Sequence, residues 1–193
     1  MDLTVVTATC QRPQFLAHCL RQFQMQSLGG LKCEHIVVAD GPDERAKFLA
    51  DRSGARYSAL PKPVGQWGAG AKDLGIQSAT GKYICFWDDD NIYDSHALTT
   101  LYAAVQNADI GVVRTQHHLR KTTGVVTIPR KWDGIFQVGD IDTMCLCVRK
   151  ELAKRETWQS QDAQITNDYD WLMKLQRHQP KINYLPIIIG EHV

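Results

Sequence analysis

The sequence predicts an α/β fold with a mostly parallel central sheet flanked by helices on both faces. Three observations predict it. Short β-branched or aromatic runs (LTVVTAT, HIVVA, YICFW) recur, stretches with apolar residues at helical spacing alternate with them, and glycine or proline clusters separate the two. The 193 residues suit a single domain over 1–193, and 44% hydrophobic with 22% charged residues is an ordinary globular balance.

Each element has its own signal. Residues 3–9 form a β-branched run that reads as a buried strand. Pro13 sits where a first-turn proline belongs, and behind it Leu16, Cys19, Leu20 and Phe23 recur at i, i+3, i+4 and i+7 until Gly29-Gly30 stops the helix. Residues 35–39 are a second strand, broken at Asp40-Gly41-Pro42, and a short helix and a weak strand near 57–60 come next. Pro61, Pro63, Gly65, Gly68 and Gly70 require a loop. A helix over about 71–79 ends before Gly81, residues 83–87 make the third strong strand, and Leu98, Leu101, Tyr102 and Val105 mark one helix face. Beyond 110 the pattern loosens. Strands over 110–115 and 144–148 are separated by a polar stretch, and a helix over 168–178 and a strand over 184–189 close the chain.

Composition excludes several functions. Twenty-two basic against 21 acidic residues leave a charge of +1, so no global field draws nucleic acid, and no nucleic-acid partner is expected. No apolar run reaches the roughly 18 residues of a membrane span. The start, MDLTVVTATCQRP, lacks the pattern of a secretory signal. The six cysteines show neither C-x-x-C nor zinc spacing and read as packing residues of a reducing compartment. The expected location is cytoplasmic, with a peripheral membrane contact left open.

The chemistry collects at strand ends, where open α/β sheets bind their ligands. The second strand runs into Asp40 and the third into Asp88-Asp89-Asp90-Asn91. Three consecutive acids after a buried strand repel one another unless a cation sits among them, and hard carboxylate oxygens suit Mg²⁺ or Mn²⁺. A solvated acidic turn capping the next helix is the plainer alternative.

These residues carry a resemblance. VVTATCQRPQFLAHCL, HIVVADGPDE, GAGAKDLGIQSATGKYICFWDDDN and NDYDWLMKL, in that order, are similar to the motifs of a family 2 glycosyltransferase domain, a GT-A-type nucleotide-binding fold with a DxD motif and inverting chemistry. The resemblance implies a hexosyltransferase-like, metal-dependent enzyme that moves a sugar from a nucleotide-diphosphate sugar, in the first place a UDP-sugar. The acceptor would be a hydroxyl of a glycan, lipid-linked or small molecule. Residues to about 108 would form the nucleotide-sugar half and 109–193 the acceptor and catalytic half.

Carried over position by position, the resemblance places Asp40, Lys72 and Asp88 at the nucleotide sugar; Thr9 and Arg12 of the opening loop and Asp89 are expected there with them, and Asp142 is a further candidate on the chemistry of its carboxylate. Asp40 would bond the base, Asp88 the ribose or a metal-bound water, and Lys72 would stand for a frequent arginine. Asp90, with Asp88 and His192, would hold Mn²⁺ or Mg²⁺, and Asp168 would be the catalytic base. Cys10 stands where an aromatic often stacks on the base, Asp73 replaces a frequent asparagine, and Asn167 replaces a glutamate. Gln26 falls where the first helix commonly ends in glutamine.

Helical phase separates two neighbouring acids. Asp168, Trp171, Leu172 and Leu175 recur at i, i+3, i+4 and i+7, which turns Asp168 inward, whereas Asp170 precedes Lys174 by four in the order of an exposed ion pair. Asp142 reads either as a ligand of sugar hydroxyls or as a turn residue. Arg120, Lys121, Arg130, Lys131 and Trp132 read as a solvated loop or an acceptor-facing flap. Gly65, Gly68 and Gly70 form neither G-x-G-x-x-G nor a Walker sequence and read as a flexible loop near the donor. Two other functions fit the residues less well. A nucleotidyltransferase would want a Gly-rich, basic loop after the first strand, where ATCQRP stands, and a binding module without activity would not need Asp88, Asp90 and Asp168.

Overall fold

The computed structural model describes residues 1–118, 124–159 and 167–193. β1 (Leu3–Thr9) leads through the Gln11 turn into α1 (Pro13–Gln24), which has proline in its first turn and buries Leu16, Cys19 and Leu20. β2 (Cys33–Ala39) is next, then α2 (Glu44–Ser53), capped by Asp43, whose carboxylate accepts from the Arg45 and Ala46 amides. After β3 (Arg56–Ala59), a single 3-10 turn at Gln66–Gly68 opens α3 (Ala69–Ser78). β4 (Tyr83–Phe86), the two-residue β5 (Ile92–Tyr93) and α4 (Ala97–Val105) come after it. The remainder is β6 (Ile110–His118), β7 (Val125–Ile128), β8 (Leu146–Arg149), α5 (Lys150–Ala153), α6 (Asn167–Gln176) and β9 (Ile182–His192).

All these strands join one sheet, in the order β3-β2-β1-β4-β8-β6-β9-β5, with β7 beside β6. β3, β2, β1 and β4 are parallel, as the strand-helix alternation requires. The second half is mixed: β8 runs antiparallel between β4 and β6, while β9 is parallel to β6. Side chains alternate between the two faces. Leu3, Val5, Tyr83, Cys85 and Trp87 pack with α1 and α4, and Val6, Ile84 and Phe86 pack with α3 and α6. α3 lies close to β1 because residue 75 is glycine; a Cβ there would collide with Val6 Cγ1.

The short β5 and β7 go beyond the expected strands. β7 is the β-branched VVTI inside the polar stretch, and its pairing with β6 supplies the signal that local pattern alone lacked. Arg130 is tied to Asp140 through its backbone N–H and its Nε (2.8 Å), and Trp132 packs on Tyr184 and Phe136. That stretch is therefore anchored to the fold on its C-terminal side. Arg120, Lys121 and the side chain of Asn167 lie outside the described residues. All six cysteines are free thiols. Among the described residues no helix is long and apolar enough to cross a membrane.

One core residue links the fold to pH. His35 of β2 is buried against Phe23, with Nε2 2.9 Å from Thr7 Oγ1 and no partner on Nδ1 among the described residues. Burial drives its pKa down from 6.5 to about 3, so the folded protein holds it neutral. Its contribution is fully present above the unfolded pKa near 6.5 and is lost as pH falls toward the folded value. Between pH 6.5 and 4, stability should fall by up to about 1.4 kcal/mol per pH unit from this one proton. Urea titrations of wild type and His35→Gln at several pH values check it: the variant should start less stable but show the shallower slope. Equal slopes would remove His35 from the acid limb.

Candidate active site

The carboxyl ends of β1, β2 and β4 meet at one edge of the sheet, and the reversed β8 adds a fourth contributor. Cys85 of β4 faces Cys147 of β8 in antiparallel register, so the segment before β8 lies beyond the end of β4, where Asp88 emerges. That segment is a 3-10 turn, Thr143–Cys145, capped by Asp142, whose carboxylate accepts from the Met144 amide at 2.8 Å. β6 and β9 run to the same edge and place His117 opposite His192. α6 supplies Asp168, whose Oδ2 accepts from the Thr143 amide at 3.3 Å.

The three consecutive aspartates have different surroundings. Asp88 lies 4.0 Å from the buried ammonium of Lys72. Asp89 is 0% exposed; it accepts from Thr9 Oγ1 at 2.7 Å and meets Arg12 Nη2 at 2.5 Å. Burial pushes its carboxyl up to about 6 despite the Thr9 hydroxyl and the Arg12 guanidinium, with Asp90 and Asp88 adding to the rise. Asp90 bonds Arg12 Nη1 at 2.7 Å. Arg12 thus clasps two neighbouring acids, and Thr9 and Asp89 are a brace beneath the site rather than a surface open to a ligand.

Two glutamines fix residues 91–98, just beyond the three acids. The Gln22 amide donates to the Asn91 carbonyl while its oxygen accepts from Tyr93 N–H, and Gln26 does the same with the Asp94 carbonyl and Leu98 N–H. Tyr93 then stacks on Trp87 at 3.8 Å, and its hydroxyl accepts from the Asp88 amide. The acidic turn is held by α1 on one side and by its own strand on the other.

Lys72 is the centre of charge. Burial opposes its ionisation, but Asp88, Asp168 and Asp142 outweigh that and raise its pKa. The acids respond to the same surroundings. Burial, then Asp168 and Asp88, push Asp142 up to about 7, against the pull of His192. Burial also raises Asp168, with Lys72 opposing and Asp88 adding. Lys72 Nζ also sits 4.6 Å above the Trp158 ring, which stacks on Trp171 of α6. Its neighbour Asp73 accepts from Thr157 Oγ1, Trp158 N–H and Gln159 Nε2, which locks that turn. The aspartate at 73 thus serves a packing role.

A donor set for a cation lies beside the acids. One ligand atom each from His117, Asp142 and His192 falls within 4.8 Å of the others. His192 Nε2 is 3.7 Å from Asp142 Oδ2, the two imidazoles stack at 4.1 Å, and His192 Nδ1 is buried with no partner among the described residues. Mixed imidazole and carboxylate donors suit a first-row divalent ion such as Mn²⁺. His192 therefore meets Asp142 and His117, while Asp90 is held by Arg12. His117 had no mark in the sequence beyond a His-His pair that follows the polar Arg114-Thr115-Gln116. Asp40 stands at the carboxyl end of β2, its two oxygens accepting from Val64 N–H (2.7 Å) and Gly65 N–H (2.8 Å). Each oxygen keeps a second lone pair.

Comparison with known proteins agrees with this geometry. Residues 4–167 match the family described as Glycosyl transferase family 2. Glycosyltransferase GlyG of Streptococcus pneumoniae is 29% identical over 114 residues, covering 58% of this chain and 37% of that protein. The chain thus spans little more than a third of that relative's length. Among solved structures, S. aureus TarS 1-349 in complex with UDP superposes with a TM-score of 0.78 at 14% identity, covering 100% of this chain and 60% of that one. The mannosyltransferase PcManGT from Pyrobaculum calidifontis, in complex with GDP-Man and Mn²⁺, gives 0.69 at 14% identity, with 99% and 56% covered. The curled mixed sheet with flanking helices is the GT-A architecture, and the chain belongs to the family 2 glycosyltransferases.

Proposed function

We propose that the chain moves a sugar from a nucleotide-diphosphate sugar, a UDP-sugar first among them, to an acceptor hydroxyl, with a divalent cation and inversion at the anomeric carbon. The observation that carries this is the convergence of Lys72, Asp88, Asp142, Asp168 and His192 on one sheet edge. Relatives of this architecture solved with UDP or with GDP-Man and Mn²⁺ support a nucleotide-sugar ligand.

Each residue has a task in that reaction. Asp40 would accept a hydrogen bond from the base, and Asp88 would hold the ribose or a metal-bound water. Lys72 holds positive charge where the leaving diphosphate gathers negative charge. His192, Asp142 and His117, with Asp88 and Asp90 from the neighbouring strand end, would hold Mn²⁺ or Mg²⁺. Such an ion neutralises diphosphate oxygens as the sugar departs. Asp168 would accept the acceptor's hydroxyl proton, and burial raises its proton affinity against the pull of Lys72, with Asp88 adding to the rise. Asp142 would also accept hydrogen bonds from sugar hydroxyls. The nucleotidyltransferase reading loses ground because Arg12, the cation of the loop after β1, is clasped to Asp89 and Asp90.

Three outcomes are expected. UDP should bind weakly after EDTA treatment and regain affinity with Mn²⁺ in calorimetry, because the acid cluster repels a bare diphosphate; undiminished binding in the chelated protein would remove the metal. NMR of the product's anomeric proton should show inversion. Asp168→Asn should keep UDP binding but lower kcat by about 10²- to 10⁴-fold, the usual size of a general-base effect, whereas Asp170→Asn should stay within a few-fold. The reverse ranking in kcat at saturating donor would reassign the base.

A further inference from the structure

The loop between β3 and α3 holds a tryptophan to which the proposed reaction gives no task. Trp67 is 66% exposed. Of the other four tryptophans, Trp87, Trp158 and Trp171 are fully buried and Trp132 packs on Phe136 and Tyr184. Nothing in the packing of the core explains an indole left in the open.

The backbone under it is strained. Gly65, Gln66, Trp67 and Gly68 have φ of 73°, 51°, 50° and 77°, four consecutive residues at positive φ of which two carry side chains. Such conformations persist only where the surroundings impose them, and they concentrate at ligand sites. Here the surroundings do impose them. Asp40 anchors the loop through Val64 and Gly65, the Gly68 amide returns to the Gly65 carbonyl at 3.2 Å, and Gly68 rests on β1, since a Cβ there would come within 2.8 Å of the Ala8 Cβ.

The loop's place in the sheet says which part of a donor it would meet. It sits at the carboxyl ends of β1 and β2, on the Asp40 side. The acid cluster sits at the ends of β4, β8 and β9. β2 and β8 are three strand spacings apart, about 14 Å, which suits a ligand with a polyanionic end and a remote planar end. Exposed Cys10, at the end of β1, offers no aromatic face of its own.

We propose that Trp67 is the stacking platform for the nucleobase of the donor, with Asp40 reading the base edge. This rests on the nucleotide-sugar reading. The face of the indole supplies contact that any base satisfies, and the carboxylate beside it favours a base presenting an N–H.

The test uses the whole chain with Mn²⁺ and three probes, UDP, GDP and inorganic diphosphate, measured by calorimetry alongside tryptophan emission. Trp67→Ala should weaken UDP by about 5- to 150-fold, the effect of removing one base-aromatic stack, and leave diphosphate unchanged. Trp67→Phe should retain UDP affinity within a few-fold while losing the quenching that UDP causes in wild type. UDP affinity unchanged in Trp67→Ala, while wild type binds UDP, overturns the platform and leaves the nucleotide-sugar reading intact. Equal loss of UDP and diphosphate also overturns it, since the indole would then be shaping the loop rather than holding the base. A wild-type chain that binds neither UDP nor GDP removes the nucleotide-sugar reading and the platform with it.

Discussion

A buried ammonium lets three carboxylates from distant parts of the chain share one edge of the sheet. Lys72 is dehydrated in its place on α3, and a lysine so buried stays charged only beside opposite charge. Asp88, Asp168 and Asp142 supply that charge, and they in turn would repel one another without it. Cation and acids are therefore stable only as a group, and removing one member leaves a buried charge uncompensated. The next residue on the helix contributes differently. Asp73 locks the turn that places Trp158 under the ammonium and against Trp171, so α3 and α6 are held in register by adjacent residues with separate jobs.

Topology delivers the group. A sheet made only of right-handed crossovers would send every strand's carboxyl end the same way, with each succeeding loop turning back toward the opposite edge. The reversal of β8 brings a segment that precedes a strand to the edge where other strands finish. Asp142 and the Thr143 amide reach the site this way, and the latter donates to Asp168 of α6. The parallel pairing of β6 with β9 then brings His117 and His192, 75 positions apart, into ring contact.

The acidic turn is held by internal brackets. Arg12 pairs with Asp89 and Asp90, Thr9 with Asp89, and the two glutamines of the α1 region replace backbone partners that residues 91–98 would otherwise lack. At the end of β2 Asp40 plays a similar part for the strained loop that carries Trp67. A carboxylate at a strand end can thus organise a loop and still present lone pairs outward.

The sequence by itself determined the elements and several orientations. β-branched runs marked β1, β2 and β4, and the spacing of Trp171, Leu172 and Leu175, all fully buried, turned Asp168 toward the protein as its periodicity requires. The end of YICFW fixed where acids would emerge. Periodicity states which face of an element is buried, but it carries no information about partners. So only tertiary structure decided that β8 runs backwards, that Asp89 points inward to Thr9 while Asp88 meets Lys72, and that His192 finds Asp142 and His117. Those choices rest on pairings between residues tens of positions apart, where strand direction and charge balance outweigh local preference.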